Sequence, residues 1–158
     1  MCRICINDPN FHILANLPNR SEYKNYQLIK HSIQEDDIKL RAKLPFLIDF
    51  FDPAFRAIKE IGGTATVEEW NKVTFEIMQL TNEQLSIYHK RYVLQANYRM
   101  AWTRTYLKIS GLIINTNRGI WTLTDLGKST ENLDPFEIFR TVKSNLYKKY
   151  KATQKING

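Results

Sequence analysis

The stretch Asn97 to Gly127, NYRMAWTRTYLKISGLIINTNRGIWTLTDLG, restricts the fold more than any other part of this 158-residue chain. It reads as a helix of about four turns from Ala96 to Ser110, closed by Gly111, then two short β-branched runs. Gly111 fits the position after a helix where a left-handed backbone is required, and Leu112 can fold back over the last turn. The two runs, Leu112 to Asn115 and Gly119 to Thr124, are joined by the tight turn Thr116-Asn117-Arg118 and predict a hairpin.

Upstream, further helices announce themselves by their caps. Asp52 and Pro53 suit a cap and first helical position, Phe55, Ile58 and Ile61 share one face, and Gly62-Gly63 ends that helix. Thr64-Ala65 can form a short edge strand. Thr66-x-x-Glu69 is a capping box opening a helix that carries Trp70, Val73, Ile77 and Leu80. Thr81 or Asn82 caps a further short helix with Leu85 and Tyr88, so Asn82 to Gln95 reads as an insertion before the last helix. Helix, strand, helix, inserted helix, helix and hairpin give an α+β, mainly helical class. It is a winged helix-turn-helix with an inserted helix, flanked by N- and C-terminal helices.

The helix from Ala96 is the one a major groove would receive. Met100, Thr103 and Leu107 form its core stripe; Asn97, Thr105 and Lys108 face outward, with Arg99 and Arg104 on the flanks. Trp102, Tyr106 and Ile109 make a second apolar face, expected to pack on the inserted helix, with Trp102 a core residue rather than a base-stacking one. An outward arginine can bond guanine in bidentate fashion, whereas lysines and wing arginines more often neutralise phosphates. Arg118 is assigned the phosphate role, with Asn115 and Asn117 as neutral donors beside it. The alternative for Arg104 and Lys108 is an ordinary solvated helix face.

Asn97, Trp102, Tyr106-Leu107-Lys108, Gly111-Leu112, Arg118-Gly119, Trp121, Leu123-Thr124 and Gly127 together resemble the N-terminal domain of Mrr-type modification-dependent restriction endonucleases. The resemblance continues through Leu44-Pro45, Asp52-Pro53 and Gly62-Gly63. It implies a winged-helix DNA binder joined, in that family, to a C-terminal nuclease domain. It also implies an interest in methylated DNA, which maps onto no single position here. The sequence leaves no room for that nuclease, so the expectation is a DNA-binding module of a restriction or genome-defence system, not an enzyme. Three regions follow: an N-terminal arm, 1–43; the winged-helix domain, 44–128; and an amphipathic basic helix, 129–158.

The formal net charge of +7 suits a polyanionic partner, and its distribution is more informative than its total. Met1 to Leu80 carries 10 Lys/Arg against 11 Asp/Glu, Thr81 to Lys128 carries 7 against 2, and Ser129 to Gly158 carries 6 against 3. The positive charge therefore sits with the wing and the tail. In the tail, Asp134-Pro135-x-Glu137 opens a helix with Ile138, Val142, Leu146 and Tyr150 on one side. Arg140, Lys143, Lys148, Lys149, Lys151 and Lys155 lie on the other side. The apolar stripe is expected to dock on the domain or on a partner subunit, and the basic side reads as a helix end favoured by the macrodipole or as a DNA-contacting extension.

The N-terminal arm is less telling. Phe11, Ile13 and Leu14 can start a strand, and Tyr23, Tyr26, Ile29 and Ile33 keep helical spacing over Ser21 to Gln34. Cys2 and Cys5 with His12 and His31 allow a zinc site to be written, but the spacing matches no common module, and the cysteines read as reduced thiols. Asp8 with Glu22-Tyr23-Lys24 supplies the residue set of a metal-dependent nuclease, yet the turn-like Pro18-Asn19-Arg20-Ser21 precedes it where a buried strand is needed. A solvated helix start capped by Ser21 is the simpler account. No catalytic residue, metal or cofactor is expected. No segment has the apolar length of a signal peptide or a membrane span, so a cytoplasmic protein is expected. The partners are double-stranded DNA, modified or not, and either a second copy of the chain or a separate nuclease subunit. The competing expectation is a protein-interaction or dimerisation module of such a system with no direct DNA role.

Overall fold

The computed structural model describes residues 35–90 and 92–156. The chain divides into two compact units, Met1–Phe46 and Leu47–Gly158. In the first, helix α1 covers Glu35–Ala42. The expected strand at Phe11, the helix over Ser21 to Gln34, the Cys2/Cys5/His12/His31 set and the Asp8/Glu22/Lys24 set all lie outside the described residues.

The second unit starts with a 3-10 turn, Leu47–Phe50, that runs directly into helix α2, Phe51–Glu60. Asp52 is therefore not the cap: Phe50 occupies that position without a side-chain hydrogen bond, and Asp52 instead pairs with the exposed Arg56 one turn on, at 3.6 Å. The 3-10 turn replaces a polar cap here and lets both Phe50 and Phe51 be fully buried. Helix α2 ends as expected, with Gly62 at φ 108° and the amides of Gly62 and Gly63 bonded to the Lys59 and Ile58 carbonyls.

Strand β1, Thr64–Thr66, delivers the chain to helix α3, Val67–Ile77, through the expected capping box between Thr66 and Glu69. The Thr66 amide and hydroxyl hold the Glu69 carboxyl below its ordinary value. Trp70 is fully buried and donates its indole N–H to the Ala54 carbonyl at 2.7 Å, locking α3 to α2. Helix α3 closes with the same hydrogen-bond pattern as α2, but at Gln79, a non-glycine residue held at φ 53°. A side chain in that left-handed region is strained, so Gln79→Gly is expected to stabilise the fold by about 0.5–1 kcal/mol. Thermal denaturation of the variant checks this, and a lowered melting temperature would refute it.

The insertion differs from expectation. Thr81 caps helix α4, Asn82–Leu85, which is a single turn, and the chain then forms a small hairpin from β2, Tyr88–Lys90, and β3, Val93–Leu94. The predicted helix stops because Tyr88, assigned to its face, pairs with Leu94 in the hairpin. Strands of three and two residues are too short for a period-two pattern to register.

Helix α5, Gln95–Ile109, is enclosed on most of its circumference. Met100, Thr103 and Leu107 are fully buried, as the core stripe requires. The inserted helix α4 touches α5, but the Tyr106 part of the second apolar face packs elsewhere. Tyr106 lies between the Phe51 and Phe139 rings, at 5.1 and 5.6 Å between centroids, and Trp102 meets Tyr106 edge-on. Phe139 belongs to the last helix, so the C-terminal segment covers Tyr106, a place assigned to the insertion. Gly111, at φ 76°, ends α5 with the Leu112 amide on the Leu107 carbonyl.

Strands β4, Ile113–Asn117, and β5, Ile120–Leu123, form the hairpin, and β1 joins it to give a three-stranded antiparallel sheet in the order β1-β5-β4. The turn falls two residues later than expected, at Arg118-Gly119, because the register shifts between Asn115 and Asn117 and absorbs Thr116 into the strand. Helix α6, Asp125–Ser129, follows a Thr124 cap, and helix α7, Pro135–Ile156, begins where Asp134 accepts the Phe136 and Glu137 amides. Val142 is buried and Ile138 packs against the core, whereas Leu146 is half-buried and Tyr147 is exposed. The side chain of Tyr150 lies outside the described residues. The class is α+β and mainly helical, with a core of Phe50, Phe55, Ile58, Trp70, Met100, Leu107, Ile113 and Leu123 at its centre.

Candidate nucleic-acid interface

Because α5 is enclosed by α3, the β2-β3 hairpin, the 3-10 turn and α7, only a narrow part of it meets solvent. Asn97, Ala101 and Lys108 are exposed and Thr105 is half-exposed. These four fall at spacings of four, four and three residues, which places them in one strip along the helix. The strip is about 16 Å long at the helical rise of 1.5 Å per residue. Asn97, Thr105 and Lys108 are the outward residues that sequence periodicity indicates. Ala101 was not among the expected residues, and its small side chain at the middle of the strip keeps the helix backbone open to close approach.

Arg99 and Arg104, expected on exposed flanks, are buried, at 5% and 7% exposure. The flank on Arg104's side is covered by α3. Its guanidinium donates to the Asn71 side-chain oxygen at 2.8 Å and lies over the Trp70 ring. Burial pushes Arg104 down to about 10, with Glu68 acting in the opposite direction. The Asn71 amide nitrogen in turn donates to Asn97 Oδ1 at 3.3 Å. Asn71 was missed by sequence reading, since a single asparagine in a helix has no periodic signature. It joins the base of α3 to the first turn of α5 and orients Asn97 at one end of the strip.

At the other end stands the β4-β5 hairpin. Lys108 reaches over the Trp121 ring of β5 at 6.0 Å, and Trp121 packs against Trp70 beneath it. Asn117 and Arg118 are exposed at the hairpin tip. Asn115 is exposed too, but its side-chain amide donates to the Ile120 carbonyl across the hairpin at 2.9 Å. That bond braces the register shift at Thr116, so Asn115 has a part in the hairpin's own frame. Thr105 is also engaged, donating its hydroxyl to the Ala101 carbonyl. Among the described residues no group of three or more His, Cys, Asp or Glu side chains is arranged to hold a metal ion, and no helix is long and apolar enough to cross a membrane.

The model of the Mrr N-terminal domain family matches residues 49–132, from the 3-10 turn to the segment after α6. The chain belongs to that family. No curated protein and no solved structure matches it. As an Mrr N-terminal domain protein it is associated with Mrr-type restriction systems, and the match takes in α2, α3, α5 and both hairpins.

Proposed function

We propose that this Mrr N-terminal domain protein is a DNA-binding module of a restriction or genome-defence system, acting as a winged helix over about 44–128 with an arm and a basic helix on either side. Helix α5 enters the major groove by its exposed strip, and the β4-β5 hairpin is the wing. The observation that carries the reading is the strip itself: a helix buried over most of its surface leaves Asn97, Ala101, Thr105 and Lys108 open in one line, with Ile109 exposed at its last residue, and the line ends beside the hairpin that carries Arg118. A major groove about 12 Å wide admits such a helix. The segment holding strip and wing is the one where Lys/Arg outnumber Asp/Glu by 7 to 2, and cations still outnumber acids there once the buried Arg99 and Arg104 are set aside.

In this reading Asn97 keeps its amide NH2 for an acceptor on a base edge, its oxygen being held by Asn71. Lys108 meets guanine or phosphate, while Arg118, with Asn117 beside it, meets phosphate from the wing. Arg99 and Arg104 leave the set of contact residues and become internal supports, and Asn115 becomes part of the wing's frame.

The test is fluorescence-anisotropy binding to matched duplexes, unmodified and carrying methylated cytosine or adenine, across a salt series. Affinity should fall steeply with salt, and Arg118→Ala should weaken binding to every duplex alike and reduce the slope of log K against log salt by about 0.9. Absence of binding at low salt would sink the proposal. It would leave the second reading, a docking module using the far part of α7, where Tyr147 is exposed beside the half-buried Leu146.

A further inference from the structure

The small hairpin inserted ahead of α5 has a firm base and carries an exposed Tyr92 near its tip. At the base, Ile87 is buried and its carbonyl accepts the Gln95 amide at 2.7 Å. His89, also buried, stacks on Tyr98 with 3.7 Å between ring centroids and 10° between planes, and its Nδ1 lies 2.9 Å from the Gln95 side-chain oxygen. At the tip, beyond the Lys90–Val93 pair, Tyr92 is 94% exposed. A large aromatic side chain held in water on an anchored hairpin gains from any partner that covers its ring and accepts its hydroxyl proton.

The hairpin's anchorage fixes which part of the molecule it borders. At about 100° per residue, Tyr98 lies about 100° around α5 from Asn97, and Thr105 about 80° in the same sense. Tyr98 therefore edges the exposed strip at its N-terminal end. Arg104 lies on the opposite edge, under α3, and Lys108 ends the strip beside the β4-β5 hairpin. The strip thus has a hairpin at each end. The sequence places two cations, Lys90 and Arg91, directly before Tyr92, and Tyr88 and Val93 are exposed on the same hairpin, so a DNA backbone bordering the strip meets both charge and apolar surface there.

We propose that the β2-β3 hairpin is a second DNA-contacting arm, with the Tyr92 ring laid on a deoxyribose and its hydroxyl donating to a phosphate oxygen beyond the N-terminal end of the strip. The inference rests on the DNA-binding reading above and adds a contact that the strip and wing do not contain. A neutral donor to phosphate strengthens binding but displaces no counterion, so its loss has a signature different from the loss of a lysine or arginine.

The experiment compares wild type, Tyr92→Ala and Tyr92→Phe on one duplex of about 20 base pairs by anisotropy at several salt concentrations, with sedimentation of the free proteins alongside. The exposure of Tyr92 leaves the melting temperature unaffected by either change. Expected are a roughly tenfold weaker Tyr92→Ala, an intermediate Tyr92→Phe that keeps the ring contact, and the wild-type salt slope in both. Tyr92→Ala binding as tightly as wild type overturns the arm and leaves the strip and wing standing. If that variant keeps DNA affinity but loses self-association seen in the wild type, the ring belongs to a contact between copies and the proposal falls. A wild type that binds no duplex overturns both this arm and the DNA reading beneath it.

Discussion

Gly127→Ala is expected to lower the stability of the second unit by about 4 kcal/mol, a fall in melting temperature of roughly 15 °C. A methyl group at this position would stand 2.1 Å from the Leu112 carbonyl oxygen and 3.0 Å from Leu123 Cδ2. Neither neighbour can yield alone. The Leu112 oxygen accepts the Thr124 amide at 3.0 Å, and the Thr124 hydroxyl both donates to the Gly111 carbonyl and caps α6 through the Gly127 amide. Leu123 is itself a core residue paired with Ile113 in the sheet. Making room for the methyl means withdrawing α6 from the turn that joins α5 to the β4-β5 hairpin.

The control is Gly119→Ala at the tip of the β4-β5 hairpin. There a methyl group meets nothing within 4 Å, and only the left-handed backbone, φ 77°, resists it. The expected cost is about 1 kcal/mol, the ordinary penalty for a side chain in that region. Differential scanning calorimetry of the two variants separates crowding from backbone strain. Equal losses would mean that the α6 turn shifts freely, and the close packing of Gly127 on Leu112 would then have no role in holding the β4-β5 hairpin.

That contrast also shows where sequence was informative. Signals carried by one or two residues with a strict steric or hydrogen-bonding role survive into the fold: Gly111 and Gly62 at helix ends, Thr66 with Glu69 at a helix start, Asp134 before α7. The strip on α5 was legible at Asn97, Thr105 and Lys108 because their spacing is fixed by the helix itself. What failed had to be learned from neighbours distant in sequence. Arg99 and Arg104 look like solvated cations until α3, the hairpin and α7 close around the helix, and nothing in the local spacing says that Asn71 will receive Arg104. The β4-β5 turn moved by two residues because a register shift at Thr116 adds length without changing composition. Tyr88 had the right spacing for a helix face, yet a one-turn helix and a two-strand hairpin leave too few residues for either period to be decisive.

Arg104→Ala and Lys108→Ala are expected to separate stability from binding, although the two residues are four apart on one helix and carry the same charge. Removing Arg104 leaves the Asn71 oxygen, in a side chain only 8% exposed, without its donor, and strips the cation from the Trp70 ring. A loss of about 2–3 kcal/mol follows, or roughly 10 °C in melting temperature. The charge itself works the other way, because burial already pushes Arg104 down to about 10. Arg104→Met, which keeps much of the packing and removes the desolvated charge, should therefore destabilise less than Arg104→Ala. Folded Arg104→Ala, assayed well below its melting point, should retain the wild-type salt slope for duplex binding. Lys108→Ala should do the reverse: its ammonium group is exposed above Trp121, so the melting temperature stays within about 2 °C while the slope falls by about 0.9 and affinity drops for all duplexes. A slope lowered by Arg104→Ala would mean that its guanidinium leaves Asn71 to reach a phosphate, and the strip of Asn97, Ala101, Thr105 and Lys108 would have to be redrawn to include it.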